Sequence, residues 1–144
     1  MMSPIQVLLV EDNPGDARLA REALADSKLR LEVVEAHDGE VAIEVLRKAH
    51  TSEGGRLPDL ILLDLNLPRK DGREVLADVK NSPEWKHIPV VVLTSSKADE
   101  DILATYQLHA NAYISKPIDL AQMERVVKEI KDFWFTIVRL PSEH

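Results

Sequence analysis

The strongest constraint on this chain is a set of short apolar runs that lack polar alternation. Val7-Leu8-Leu9-Val10, Leu60-Ile61-Leu62-Leu63 and Val90-Val91-Val92-Leu93 are apolar at every position. A strand with one face in water alternates apolar and polar residues. A run that is apolar throughout is covered on both faces, as the central strands of a parallel sheet are. Residues 31–34 and 112–114 bring the runs to five, counting the first as residues 5–10. The second run alternates, with Leu31 and Val33 set against Glu32 and Glu35, which suits an edge strand.

Helical patterns separate the runs. Ala17, Ala20, Ala23 and Leu24 share one helical face, as do Ala42, Val45, Leu46 and Ala49, and again Val75, Leu76 and Val79. Leu120, Met123, Val126, Val127, Ile130 and Trp134 form the longest stripe, and a sparser pattern covers residues 98–108. Asn13-Pro14 sets a cap residue before a first-turn proline, and Asp38-Gly39 and Asp71-Gly72 each place an N-cap aspartate ahead of a helix. A β-α order repeated five times predicts a doubly wound α/β sandwich with right-handed crossovers. Such sheets bind ligands at the carboxyl ends of their strands, near the switch point.

Length and charge narrow the function. The chain has 144 residues, 18 Lys and Arg against 25 Asp and Glu, and a formal net charge of −7. One domain spanning residues 1–144 fits that length, with a core over about 5–133 and no output domain beside it. The chain has no cysteine, which excludes disulfides, thiolate metal sites and cysteine nucleophiles. The acidic balance, with no dense Lys/Arg run, argues against nucleic-acid binding. The first residues lack a basic leader and no apolar run is long enough to span a bilayer, so a soluble cytoplasmic protein that binds no membrane is expected.

Chemistry-bearing residues close the strands. The first ends in Glu11-Asp12, the third in Asp64 followed by Leu65-Asn66, the fourth in Thr94-Ser95-Ser96 and the fifth in Ser115-Lys116-Pro117. If these strands are neighbours, three carboxylates, a hydroxyl and an ammonium converge on one crevice. Packed carboxylates need a cation. With no cysteine, and with no histidine near these positions, the ligands are hard oxygens that favour Mg²⁺ or Mn²⁺ over zinc. A divalent ion and the Lys116 ammonium together balance the three carboxylates, so an incoming phosphoryl anion meets metal, ammonium and the Thr94 hydroxyl. Positioning and neutralisation of this kind suit phosphoryl transfer.

Those residues resemble the receiver domain of two-component response regulators. Val10-Glu11-Asp12-Asn13, the segment from Leu63-Asp64 through Pro68 with Asp71-Gly72, Leu93-Thr94-Ser95, and Tyr113-Ile114-Ser115-Lys116-Pro117 carry the resemblance in order and spacing. It implies a five-stranded parallel (βα)5 flavodoxin-like fold with strand order 2-1-3-4-5. It further implies that Asp64 accepts a phosphoryl group from a sensor histidine kinase. Asp12 and Asp64 would bind Mg²⁺ directly, Glu11 mainly through water, and Asn66 through its backbone carbonyl. Thr94, Ser95 and Lys116 would hold the phosphoryl oxygens, Tyr113 would move with Thr94 as the switch aromatic, and the bond before Pro117 would be cis. Such a chain is a phosphoacceptor signalling protein rather than an enzyme, with slow self-dephosphorylation. Asn66 and Ser96 flank the path of an attacking water.

Competing readings fail at particular residues. A flavin- or nucleotide-binding module needs a glycine- or hydroxyl-rich phosphate loop after the first strand, where this chain has Glu11-Asp12. A phosphohydrolase of the haloacid dehalogenase type needs a second aspartate two residues after the nucleophile, where this chain has Asn66. A degenerate, scaffold-only receiver would lack site residues that are all present. The five histidines share neither a His-x-x-x-His spacing nor a strand end, so solvated positions are expected for them.

The most individual segment is residues 133–144. Phe133-Trp134-Phe135 precedes further aliphatics, and one helical face cannot bury all three aromatics. They are expected to meet across a two-fold axis in a homodimer. This tail, Asn13-Pro14-Gly15-Asp16, the loop ending in Pro58-Asp59 and the segment from Leu108 to Tyr113 are similar to small stand-alone regulators paired with phytochromes. That narrower resemblance implies a phytochrome-type kinase as phosphodonor, and with no room for an output domain a second copy or a downstream phosphotransfer protein is expected to carry the signal on.

Overall fold

The computed structural model describes residues 5–25, 31–51, 56–94 and 112–115, together with residues 121, 124 and 128. Its elements are β1 (Ile5–Val10), α1 (Pro14–Ala25), β2 (Leu31–Ala36), α2 (Gly39–Thr51), β3 (Leu60–Leu63), α3 (Gly72–Asn81), β4 (Val90–Thr94) and β5 (Ala112–Ser115). The strands form one sheet in the order β2-β1-β3-β4-β5, and every neighbouring pair is parallel. The doubly wound reading therefore holds, with β2 at an edge. The predicted helix over 98–108 lies outside the described residues. Ala121, Glu124 and Lys128 are helical and exposed, and none of them belongs to the predicted stripe.

Burial explains why the three runs 7–10, 60–63 and 90–93 carry no polar residue. Val7, Leu9, Leu60, Leu62 and Val91 pack on one face of the sheet with Ala17, Ala20, Ala23 and Leu24 of α1. Leu8, Val10, Ile61, Leu63, Val90 and Val92 pack on the other with Ala42, Ile43 and Leu46 of α2 and Val75, Leu76 and Val79 of α3. Both sets of alternating positions are dry, so neither tolerates a polar side chain. The α1 and α3 faces are those expected. On α2, Ile43 joins the core where the periodicity suggested Val45 and Ala49, which are only partly buried.

Helix starts follow the expected caps with one correction. The Asn13 side chain accepts the Asp16 N–H at 3.0 Å, and Asp38 Oδ1 accepts the Val41 N–H at 2.8 Å. Asp71 occupies the N-cap of α3 but makes no side-chain cap bond. Its carboxylate instead accepts from Arg73 Nη1 at 3.1 and 3.3 Å, because a charged fork two residues away outcompetes an amide.

At the opposite end of the sheet, the turn before β4 is tied to α3. Lys80 Nζ donates to the carbonyls of Lys86 and Ile88 at 3.1 and 2.8 Å, and burial pushes its ammonium below the ordinary lysine range. Trp85, in the same turn, packs against the α2–α3 core. Neither contact was evident from periodicity.

Candidate functional site

Register brings the acidic residues together. Val10 is opposite Ala36 on one side and Leu63 on the other, and Leu63 is opposite Val92. The chain therefore leaves β1 and β3 side by side. Glu11 N–H donates to the Ala36 carbonyl and Asp64 N–H to the Val10 carbonyl, each at 3.0 Å. One carboxylate oxygen from each of Glu11, Asp12 and Asp64 lies within 4.8 Å of the others. Glu11 is 3% exposed and Asp64 7%, whereas Asp12 is exposed.

These carboxylates are held from behind by the main chain. Glu11 Oε2 accepts the Asn13 N–H at 3.3 Å, and Asp64 Oδ1 accepts the Asn66 N–H at 3.0 Å. At oxygen separations within 4.8 Å, two ionised carboxylates repel by about 3.5 kcal/mol or more at an effective dielectric of about 20. The donors are all oxygens, two buried and one open to water, so the residues fit a hard divalent cation that keeps water on its exposed side.

The loop after β3 is tightly locked. The Gly72 N–H donates to the Leu65 carbonyl at 2.9 Å. A Cβ at Gly72 would overlap the Asp64 carbonyl oxygen and stand 2.6 Å from Leu65 Cα, so only glycine lets α3 start against the chain that carries Asp64. Lys70 Nζ pairs with Asp78 Oδ2 of α3 at 2.6 Å, and that hydrogen bond raises the Lys70 ammonium above its ordinary value.

Histidine requires a correction. The sequence reading left no histidine near the strand ends, yet the His37 ring Nδ1 lies 3.2 Å from the Glu11 carbonyl oxygen. His37 follows β2 at the edge, and its contact crosses 26 residues of sequence, which spacing arguments do not capture. Of the other expected residues, Asn66 is exposed beside Asp64. Thr94 ends β4 opposite Ser115, and Tyr113 sits in β5 opposite Val92. The side chains of Thr94 and Tyr113 lie outside the described residues, as do Ser95, Lys116, Pro117, Phe133, Trp134 and Phe135.

A parallel sheet of this order with an acidic cluster at its switch point defines a response regulator receiver domain, and the chain belongs to that family: the family's model matches residues 7–128. The chain is 45% identical over 139 residues to the response regulator Rcp1 of Synechocystis sp., covering 96% of this chain and 95% of that protein. It is similar to the phosphorylated cyanobacterial phytochrome response regulator RcpA, with 48% identity, a TM-score of 0.85, and 96% and 99% of the two chains covered. It also resembles the Mn²⁺-bound form of Rcp1, with 46% identity, a TM-score of 0.84 and the same coverage. Receiver domains of this kind partner with histidine kinases. Among the described residues, no helix is long and apolar enough to cross a membrane.

Proposed function

We propose that the chain takes a phosphoryl group onto Asp64 from a sensor histidine kinase of the phytochrome type and signals through the surface change that follows. The single observation that carries this reading is the convergence of Glu11, Asp12 and Asp64 at the switch point, with Asp64 buried and held by its own loop. The relatives described as phytochrome response regulators support the choice of donor. Asp64, Asp12 and the backbone carbonyl of Asn66 would hold Mg²⁺ or Mn²⁺ directly, and Glu11 through water. The cation supplies charge neutralisation for the carboxylates and the incoming phosphoryl group.

The chain's own residues do the rest. A carboxylate oxygen of Asp64 attacks phosphorus, an aspartyl O–P bond forms, and the bond to the donor breaks with its electron pair leaving on the donor. Thr94, Ser95 and Lys116 hold the transferred oxygens, while Thr94 and Tyr113 convert the modification into a surface change. The test is intact mass after incubation with acetyl phosphate and Mg²⁺, with Asp64→Asn as the paired variant.

Cation binding is also readable as stability. Ligand at a hundred times its Kd adds about 2.7 kcal/mol to the folded state. Saturating Mg²⁺ is therefore expected to raise the urea midpoint of the parent. Asp12→Asn removes one of three mutually repelling charges, so its metal-free midpoint rises above the parent's while its response to Mg²⁺ is lost. An Asp12→Asn chain that responds like the parent would count against Asp12 as a ligand.

The proposed output is a homodimer through Phe133, Trp134 and Phe135, with a phosphotransfer protein as a further partner. Sedimentation mass is expected to halve in Phe133→Ala/Phe135→Ala. A monomeric parent, or an unchanged mass in the variant, refutes the dimer.

A further inference from the structure

Three consecutive residues, the two that link β2 to α2 and the first of α2, together touch both loops that carry the acidic cluster. His37 Nδ1 lies 3.2 Å from the Glu11 carbonyl oxygen, and since that oxygen only accepts, the ring nitrogen donates. Asp38 divides its carboxylate. Its Oδ1 caps α2 through the Val41 N–H at 2.8 Å, and its Oδ2 faces Arg69 Nε at 3.6 Å in the loop after Asp64. Gly39 is buried against the same loop, and a Cβ on it would overlap the Lys70 carbonyl oxygen and stand 2.7 Å from the Lys70 carbonyl carbon.

The loop meets this turn at its strained point. Arg69 has φ 66°, and across it the Lys70 N–H donates to the Pro68 carbonyl at 2.8 Å, a γ-turn of the rare positive-φ form. Such a conformation persists only where its surroundings hold it. Here Asp38 pairs with Arg69, and Gly39 lies against the Lys70 carbonyl. The loop then runs back to Asp64, whose carboxylate accepts the Asn66 N–H, and closes where Gly72 bonds Leu65.

We infer that His37, Asp38 and Gly39 form a positioning brace that joins the main chain of Glu11 to the loop behind Asp64 and sets the spacing of the carboxylates, given Glu11, Asp12 and Asp64 as the cation site. The brace residues are not ligands. They act through the Glu11 carbonyl and the Arg69–Lys70 peptide.

Mn²⁺ titration of the full chain, followed by the paramagnetic resonance signal of the free ion, tests the brace alongside urea midpoints on the same samples. Gly39→Ala changes no charge and is expected to weaken Mn²⁺ binding about tenfold, the scale on which groups behind metal ligands act. His37→Ala is expected to weaken it about threefold, as loss of one ordinary hydrogen bond would. His37→Asn, which keeps an N–H donor there, restores most of that loss. Val79→Ala opens a cavity in the α3 core, so it lowers the urea midpoint while Mn²⁺ affinity stays at the parent value. Parent-like affinity in His37→Ala and Gly39→Ala overturns the brace. If Gly39→Ala does not fold, the His37 pair decides alone. A parent that binds no Mn²⁺ overturns the cation site itself, an outcome distinct from variants that bind as well as a binding parent.

Discussion

Incubated with acetyl phosphate and Mg²⁺, the parent chain is expected to gain about 80 Da, one phosphoryl group in place of a proton, and the Asp64→Asn chain to gain nothing. The effect is all-or-none because an amide offers no anionic oxygen to attack phosphorus. The fold is not at risk in that variant. Asn keeps a carbonyl acceptor for the Asn66 N–H and relieves carboxylate crowding at the cluster. Chelating Mg²⁺ is expected to suppress the shift in the parent as well. A gain of the same mass in Asp64→Asn would move the acceptor to another residue, and no gain in the parent would refute phosphoryl acceptance altogether.

The second large effect belongs to Gly72→Ala. At an open position near a helix start, alanine would stabilise by about 0.5–1 kcal/mol through the unfolded chain and helix propensity. At Gly72 the added carbon meets the Asp64 carbonyl oxygen and Leu65 Cα, which are backbone atoms and cannot rotate away. Either α3 lifts from β3 or the Asp64 loop shifts. A cost of about 3 kcal/mol or more follows, a large part of the roughly 5–15 kcal/mol that holds a domain folded. For a chain of this length that lowers Tm by about 10 °C. Thermal unfolding decides the sign, and a neutral or stabilising substitution would mean that the close approach yields readily. Phosphoryl acceptance is expected to fall with stability, since the clash lands on the peptide next to the acceptor.

What could be read from the sequence divides along physical lines. The cores of β1, β3 and β4 are legible because burial on both faces leaves a local mark, a run of four residues apolar at every position. Glu11, Asp12 and Asp64 were legible because in a doubly wound sheet the residues closing adjacent strands must be neighbours. The brace had no such mark. His37 meets Glu11 only because β2 pairs with β1 in one register, and Gly39 meets Lys70 only because α2 and the β3–α3 loop share one side of the sheet. Asp71 takes the N-cap position its place before α3 predicts, but local preference does not foresee the capture of its carboxylate by Arg73.

The edge strand β2 has a consequence for how copies of this chain can associate. An unpaired strand edge is an open template onto which a neighbour's strand can add, the first step of sheet-to-sheet aggregation. Along β2, exposed Glu32 points away from α1, and Glu35 is drawn to Arg21 of α1 at 2.9 Å. A second β2 laid alongside in antiparallel register, with Glu32 opposite Glu35, would bring like charges close together across the exposed Val34. Lateral growth of the sheet is thereby opposed by charge at this border.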